Sequence, residues 1–328
     1  MYTSIELPMQ EIIQKLLADG KGLLAADEST HTIEKRFAAL GLTSTPELNK
    51  KYREMLFTTP EMEKYLGGVI LFDETVRQGL QKILEERGII PGIKVDEGLE
   101  PFNDTEEQVT KGLDDLSTRL KEYSTLGLKF TKWRGIFKIS GTLPSDAFLE
   151  ENLNRMTEFA KISQENSFLP IVEPEVLLDG DHTTARCAEV SIEVWQMLFE
   201  KLKAADVDLK NLILKTNMVL PGKDSGVKAA PLEVAEVTLR SLRAAVPPEV
   251  GGVVFLSGGQ TPDEATNNLN EIVKRKADAP WQISFSYSRA LQEEAMKTWA
   301  GKDENVSEAQ KVFLNRLERV CLARNGKL

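Results

Sequence analysis

Short apolar runs alternate along the whole chain with stretches in which apolar residues recur every three or four positions, so strands and helices are predicted in alternation. A first helix near 8–19 carries Ile12, Ile13, Leu16 and Leu17 on one face and stops at Gly20. Leu23-Leu24-Ala25-Ala26-Asp27 is then a strand, and Glu28-Ser29-Thr30 caps a helix marked by Ile33, Phe37 and Leu40. A helix near 46–57 leads to a second strand at 68–72, followed by one helix carrying Val76, Leu80, Ile83 and Leu84. Strands three to eight fall at 91–96, 129–139, 169–176, 212–220, 251–257 and 282–287. Helical stripes lie between them: Leu113/Leu116/Leu120/Tyr123, Leu149/Leu153/Met156/Ala160, Val190/Val194/Leu198/Leu202, a helix opening at Pro231, and one capped by Thr261-Pro262-Asp263-Glu264. Helices near 290–299 and 307–322 close the chain.

Eight strand–helix units with no linker are the arithmetic of an α/β fold of the (β/α)8, or TIM barrel, type, with 1–328 as a single domain. An open doubly wound sheet fits less well, because no glycine-rich dinucleotide fingerprint follows the first strand.

Composition, 41% hydrophobic and 28% charged, is that of an ordinary soluble globular chain. Its sign changes the picture: a net charge of -10 argues against nucleic acid and anionic membrane as partners, so any anionic ligand needs a local basic cluster. Cys187 and Cys321 sit in helical stretches with no paired spacing, which points to a reducing cytoplasm and away from a disulfide framework. The stretch 1–7 lacks the basic start and apolar core of an export signal, and no apolar run is of membrane-spanning length.

In such a barrel the active site lies at the C-terminal ends of the strands. The polar residues there are Asp27, Lys94, Asp96, Lys132, Arg134, Glu173, Glu175, Lys215, Ser257, Ser286 and Arg289. Residues two apart in a strand share a face, so Lys132 with Arg134, and Glu173 with Glu175, can point together into the barrel mouth. Any one of them could be a solvated strand end or half of a buried ion pair. Their convergence on one mouth suggests instead a cluster that separates acid from base by shifting pKa values. Lys215 is the sharpest case, a lysine inside the apolar run Leu212–Leu220. Snorkelling to water would explain it alone. Burial, however, favours the neutral amine, a nucleophile toward carbonyls, so Lys215 is read as forming a Schiff base with a ketone.

Two stretches read as phosphate sites. Ser257-Gly258-Gly259 offers a hydroxyl and backbone N–H groups after strand seven, and Arg289 opens the helix after strand eight, where barrels often bind phosphate. On the other side, Ser29 and Thr32 sit at a helix start with Lys35 and Arg36 one turn later, and Lys94 is available from strand three. Two phosphate sites flanking one amine suggest a bis-phosphorylated sugar. His31 and His182 are the only histidines, too few for a zinc-dependent carbon–carbon lyase, so no metal and no cofactor are expected.

The segments 22–30, 92–96, Lys132-Trp133-Arg134, 170–175, Leu214-Lys215 with Asn217-Met218-Val219, 255–260 and Phe285-Ser286-Tyr287 with Arg289-Ala290-Leu291 together resemble class I fructose-bisphosphate aldolase, in order and over nearly the whole chain. The resemblance implies metal-independent, reversible cleavage of fructose 1,6-bisphosphate to dihydroxyacetone phosphate and glyceraldehyde 3-phosphate. It implies Lys215 as the Schiff-base lysine, Glu173 as the general acid/base, and Asp27 as the carboxylate at the C4 hydroxyl. Lys132 and Glu175 would supply the surrounding charge, with Arg134 beside them. Ser257, Gly258 and Arg289 would bind the C1 phosphate, and Arg134, Gly259, Ser286 and Ser288 are further substrate-binding residues. Ser29, Thr32 and Lys94, with Lys35 and Arg36 nearby, would serve the C6 phosphate. A homotetramer is implied in the same way. Departures from the family pattern are Thr216 where proline is usual, Ser288 where glycine is usual, and an ending Asn325-Gly326-Lys327-Leu328 without the terminal tyrosine of animal members. A Schiff-base aldolase for another phosphorylated ketose, or an idle barrel used as a binding scaffold, are the alternatives.

Overall fold

The computed structural model describes residues 7–328; most of the N-terminal stretch read above for an export signal lies outside them. Eight parallel strands close a barrel in the order β1 (Gly22–Ala26), β2 (Leu66–Leu71), β3 (Ile90–Lys94), β6 (Phe130–Phe137), β7 (Leu169–Val176), β8 (Ile213–Thr216), β9 (Gly252–Phe255) and β10 (Ile283–Tyr287), which returns to β1. The remaining pair, β4 (Leu99–Pro101) and β5 (Gln108–Thr110), is an antiparallel hairpin between β3 and β6 that the apolar pattern did not announce. Barrel strands read as near-continuous apolar runs because both faces are covered, one by the barrel interior and one by helices. The fold is the (β/α)8 barrel expected.

The surrounding helices are α2 (Thr30–Ala38), α3 (Pro46–Phe57), α4 (Asp73–Arg77), α5 (Gln81–Glu86), α6 (Leu116–Thr125), α7 (Asp146–Glu165), α8 (Thr184–Ala204), α9 (Pro231–Ala245), α10 (Pro262–Arg275), α11 (Arg289–Trp299) and α12 (Val306–Arg324). The single helix expected after the second strand is two, α4 and α5, parted at Gly79, whose φ of 77° no regular helix accepts. The capping box at Thr261 forms as read, with Thr261 and Glu264 exchanging bonds.

Helix α1 (Met9–Leu16) does not join the outer ring but closes the floor of the barrel. Its Ile12, Ile13 and Leu16, with Leu17, pack among the inward side chains Leu23, Ile70, Phe130, Ile171 and Val254. Close approach explains two glycines at this end. A Cβ on Gly68 would stand 2.3 Å from Leu16 Cδ2, and one on Gly252 2.3 Å from Leu17 Cδ1. The lower half of the barrel is therefore filled with hydrocarbon, and the polar strand ends are left to the opposite mouth.

Candidate active site

Strand register sets the central pair. Ile171 on β7 lies beside Ile213 on β8, so two residues further on, on the same face, Glu173 lies beside Lys215. Lys215 Nζ is 3.0 Å from Glu173 Oε1, with both residues buried. On the other side of β7, β6 presents Lys132, whose Nζ reaches Asp27 Oδ2 from β1 at 2.6 Å, Glu173 Oε2 at 3.3 Å and Asp96 Oδ2 at 3.9 Å. One buried ammonium thus ties together three carboxylates from three strand ends.

The electrostatics follow from that geometry. Burial alone would raise the Asp27 carboxyl, but the Lys132 ammonium, helped by Lys215 and Lys94, outweighs it and holds the group well below the usual carboxylate range. Burial would pull Lys132 down, yet Asp27, Glu173 and Asp96 hold its ammonium well above its ordinary value. Arg134 is likewise kept charged against burial by Glu175, whose Oε2 accepts from its Nε at 2.5 Å. Glu173 Oε2, although near Lys132, has no aligned hydrogen-bond donor. Such a lone pair is free to take or pass a proton.

Asp96 apart, these groups line a cavity of ≈ 390 Å³ together with Ser29, Thr32, Lys35, Arg36 and Lys94 on one flank and Ser257, Gly258, Ser286, Ser288 and Arg289 on the other. The site residues expected from the sequence line this cavity except Asp96, which lines the adjoining one, and Gly259, whose glycine has a local cause: φ is 79°, and a Cβ would meet Leu178 Cδ1 at 2.6 Å. At Gly258 a Cβ would lie 2.8 Å from Glu175 Oε1, so the bare backbone lets the carboxylate approach. The first flank departs from simple capping. Ser29 occupies the N-cap of α2, yet its hydroxyl meets Thr32 Oγ1 at 3.1 Å and makes no cap bond, leaving both hydroxyls at the cavity.

Among the described residues Arg289 and Lys35 have no carboxylate partner and make no side-chain hydrogen bond, whereas Lys94 is held by Asp96 at 2.6 Å. Of the described residues lining this cavity, three have a buried side-chain oxygen without a hydrogen bond: Glu28 Oε2, Glu173 Oε2 and Ser286 Oγ. Free cations and unpaired oxygens together suit a strongly polar, anionic ligand.

Glu28, read from sequence only as part of a helix start, is a buried member of the site. Its Oε1 accepts from Arg36 at 2.6 Å, from Ser288 Oγ at 2.7 Å and from Gln292 at 3.0 Å, while its carbonyl accepts from the buried Arg53 at 2.9 Å. Its signal was the doublet Asp27-Glu28 at a strand end. Two of the three departures in sequence acquire physical reasons here. Ser288 joins the Glu28 network, where glycine would supply no hydroxyl, and Thr216 Oγ1 accepts the buried Trp195 indole N–H at 3.1 Å. The histidines stand apart: His31 is exposed, and His182 is buried with neither ring nitrogen bonded.

The family model "Fructose-bisphosphate aldolase class-I" matches residues 8–328. Curated relatives include a probable fructose-bisphosphate aldolase class 1 of Xanthomonas campestris, 44% identical and covering 97% of this chain and 98% of the relative. Another is fructose-bisphosphate aldolase 4, cytosolic, of Arabidopsis thaliana, 46% identical over 90% of this chain and 77% of the relative. Among solved structures, fructose-bisphosphate aldolase of Plasmodium falciparum superposes with a TM-score of 0.94 at 43% identity, over 100% of this chain and 98% of that one.

Proposed function

The chain belongs to the class I fructose-bisphosphate aldolase family, and on that premise we propose that Lys215, Glu173 and Asp27 carry its reaction. The activity is the family's reversible cleavage of fructose 1,6-bisphosphate to dihydroxyacetone phosphate and glyceraldehyde 3-phosphate, a lyase step of glycolysis. The observation that carries the assignment is the buried Lys215–Glu173 contact at 3.0 Å, set between two groups of cations and hydroxyls of which Lys35 and Arg289 are unpaired among the described residues.

The neutral Lys215 amine adds to the C2 ketone, and Glu173 donates the proton with which the carbinolamine loses water to give an iminium. Asp27, held ionised by Lys132, accepts the C4 hydroxyl proton as the C3–C4 bond breaks. The electron pair of that bond moves into the iminium, which becomes an enamine, and glyceraldehyde 3-phosphate leaves. Protonation at C3 and hydrolysis then release dihydroxyacetone phosphate and restore the amine. Lys132 keeps its charge throughout, and Glu175 keeps Arg134 in place beside it.

Ser257, Gly258, Ser286 and Arg289 would take the C1 phosphate, with Ser288 positioning Arg36 by accepting from its Nη2 and donating to Glu28. Ser29, Thr32, Lys35 and Lys94 would take the C6 phosphate. Residues 1–328 would act as one domain, as a homotetramer in the cytoplasm; the names of plant relatives place those proteins in the cytosol, and two unpaired cysteines buried in helices suit a reducing compartment.

Steady-state cleavage of fructose 1,6-bisphosphate, tagatose 1,6-bisphosphate and fructose 1-phosphate, with and without EDTA, tests this reading. Fructose 1,6-bisphosphate is expected to have the highest kcat/KM, unchanged by chelation. A higher kcat/KM for another ketose, or loss on chelation, would contradict it.

A further inference from the structure

Three arginines are buried in this molecule, Arg53, Arg316 and Arg324. Two are held by ion pairs and carbonyls, although the Nε of Arg53, like that of Arg324, is buried without a partner. Arg53 is bonded to Glu74 at 2.8 Å and to the Glu28 carbonyl, and Arg316 to Asp263 at 2.9 Å, to the Ala290 and Pro262 carbonyls and to Thr266. Arg324, 6% exposed, is the exception: among the described residues its guanidinium has no ion pair and no hydrogen bond, and its Nε is shut off from solvent.

Arg324 faces a cleft of ≈ 560 Å³ on the floor side of the barrel, opposite the catalytic mouth. Three chain ends meet there: Asp19 and Gly20 just before β1, Lys276 at the end of α10, and Arg324 with Lys327 at the end of α12. The Nζ groups of Lys276 and Lys327 also have no partner among the described residues. Burial, with Arg324 beside it, pushes the Lys276 ammonium down, and burial pushes Arg324 down too, only partly offset by the Asp19 carboxylate. Three unneutralised cations against one carboxylate stand out in a chain of net charge -10.

The bland account is that cations favour helix C-termini, where the dipole is negative. It covers the placement of Lys276 and Arg324. It does not cover a guanidinium that meets no carbonyl or carboxylate and whose Nε–H is shut off from solvent, because an unmet buried donor is costly. We propose that this cleft is a second anion site, taking a phosphate-class oxyanion, either inorganic phosphate or the phosphoryl group of a small metabolite. Arg324 supplies the forked donors that match phosphate oxygens, and Lys276 and Lys327 close on it as point charges.

Amide hydrogen exchange of the full chain, in phosphate against chloride at equal ionic strength, tests the site. Wild type and Arg289→Ala should both gain saturable protection at 19–21 and 325–327, because Arg289 belongs to the other end of the barrel. In Arg324→Met the half-saturating phosphate should rise by about tenfold or more, the loss of a charge-assisted donor pair. Methionine in place of an unpaired buried cation should leave the fold intact. Lys276→Ala, at a partly exposed position, should weaken the same response as a second variant. Glycerol 3-phosphate serves as the monoester probe: tighter binding than inorganic phosphate assigns the site to a metabolite, weaker binding to the free ion, and either ranking upholds it. Protection confined to the mouth, a response without saturation, or equal half-saturation in wild type and both variants would overturn it.

Discussion

The two ends of the barrel use the same eight strands for opposite purposes. At the floor, α1 presses Ile12, Ile13 and Leu16 into an interior of Leu, Ile, Val and Phe, with glycines where the helix comes closest. At the mouth, two residues beyond Ala25, Phe130, Ile171 and Ile213, the interior turns to Asp27, Lys132, Glu173 and Lys215. Hydrocarbon is the more stable filling, since buried ion pairs are often no better than well-packed apolar residues. The charged filling is therefore best explained by chemistry, and the lower half carries the stability that lets it persist.

Substitutions at each end should separate these purposes. The largest effect is expected from Lys215→Met, which should remove measurable cleavage while circular dichroism and melting stay near wild type; appreciable turnover would dismiss Lys215 as nucleophile. Asp27→Asn should lower kcat by about 10²–10⁴-fold with a smaller change in KM, the range for a lost proton acceptor. On the floor, Leu16→Ala should cost about 2–5 kcal/mol in urea unfolding yet leave kcat/KM at low temperature nearly unchanged; an equal fall in activity would mean that the two ends are not separable. Arg289→Ala should raise KM for fructose 1,6-bisphosphate by about 10–100-fold, in line with a charge-assisted phosphate contact. An unchanged KM would remove it from the C1 side.

The smallest effect concerns pH. Asp27 is depressed and Lys132 raised, so the stability their pairing contributes is complete between about pH 4 and pH 10, the unfolded values of the two groups. It is lost as pH falls through the folded value of Asp27, and as pH rises through that of Lys132. The difference in unfolding free energy between wild type and Asp27→Asn should be flat from about pH 5 to 9 and shrink in acid. A difference that grew in acid would reverse the assigned sign.

Much of this was legible in the sequence because period and position carry it. Apolar runs and helical stripes specify the barrel, and the barrel specifies which end of each strand matters, so Lys215, Glu173 and Lys132 could be singled out before any contact was known. What stayed hidden depends on neighbours distant in the chain. Glu28 looks like a helix-start residue until Ser288 and Gln292, more than 250 positions away in sequence, are seen to converge on it with Arg36. The β4–β5 hairpin lacks an alternating apolar pattern, its register being held by backbone pairing such as Glu100 opposite Val109. Gly259 sits in a phosphate-like motif, and its φ and the closeness of Leu178 require glycine there on their own account. Arg324 gave no signal at all, because a missing partner cannot be read from a one-dimensional string.

The most direct test of the central claim is covalent trapping. Wild type incubated with dihydroxyacetone phosphate and borohydride should gain one adduct by intact mass, mapped by peptide to Lys215 and absent from Lys215→Met. An adduct on another lysine, or none under conditions that trap a known Schiff-base enzyme, would contradict the account.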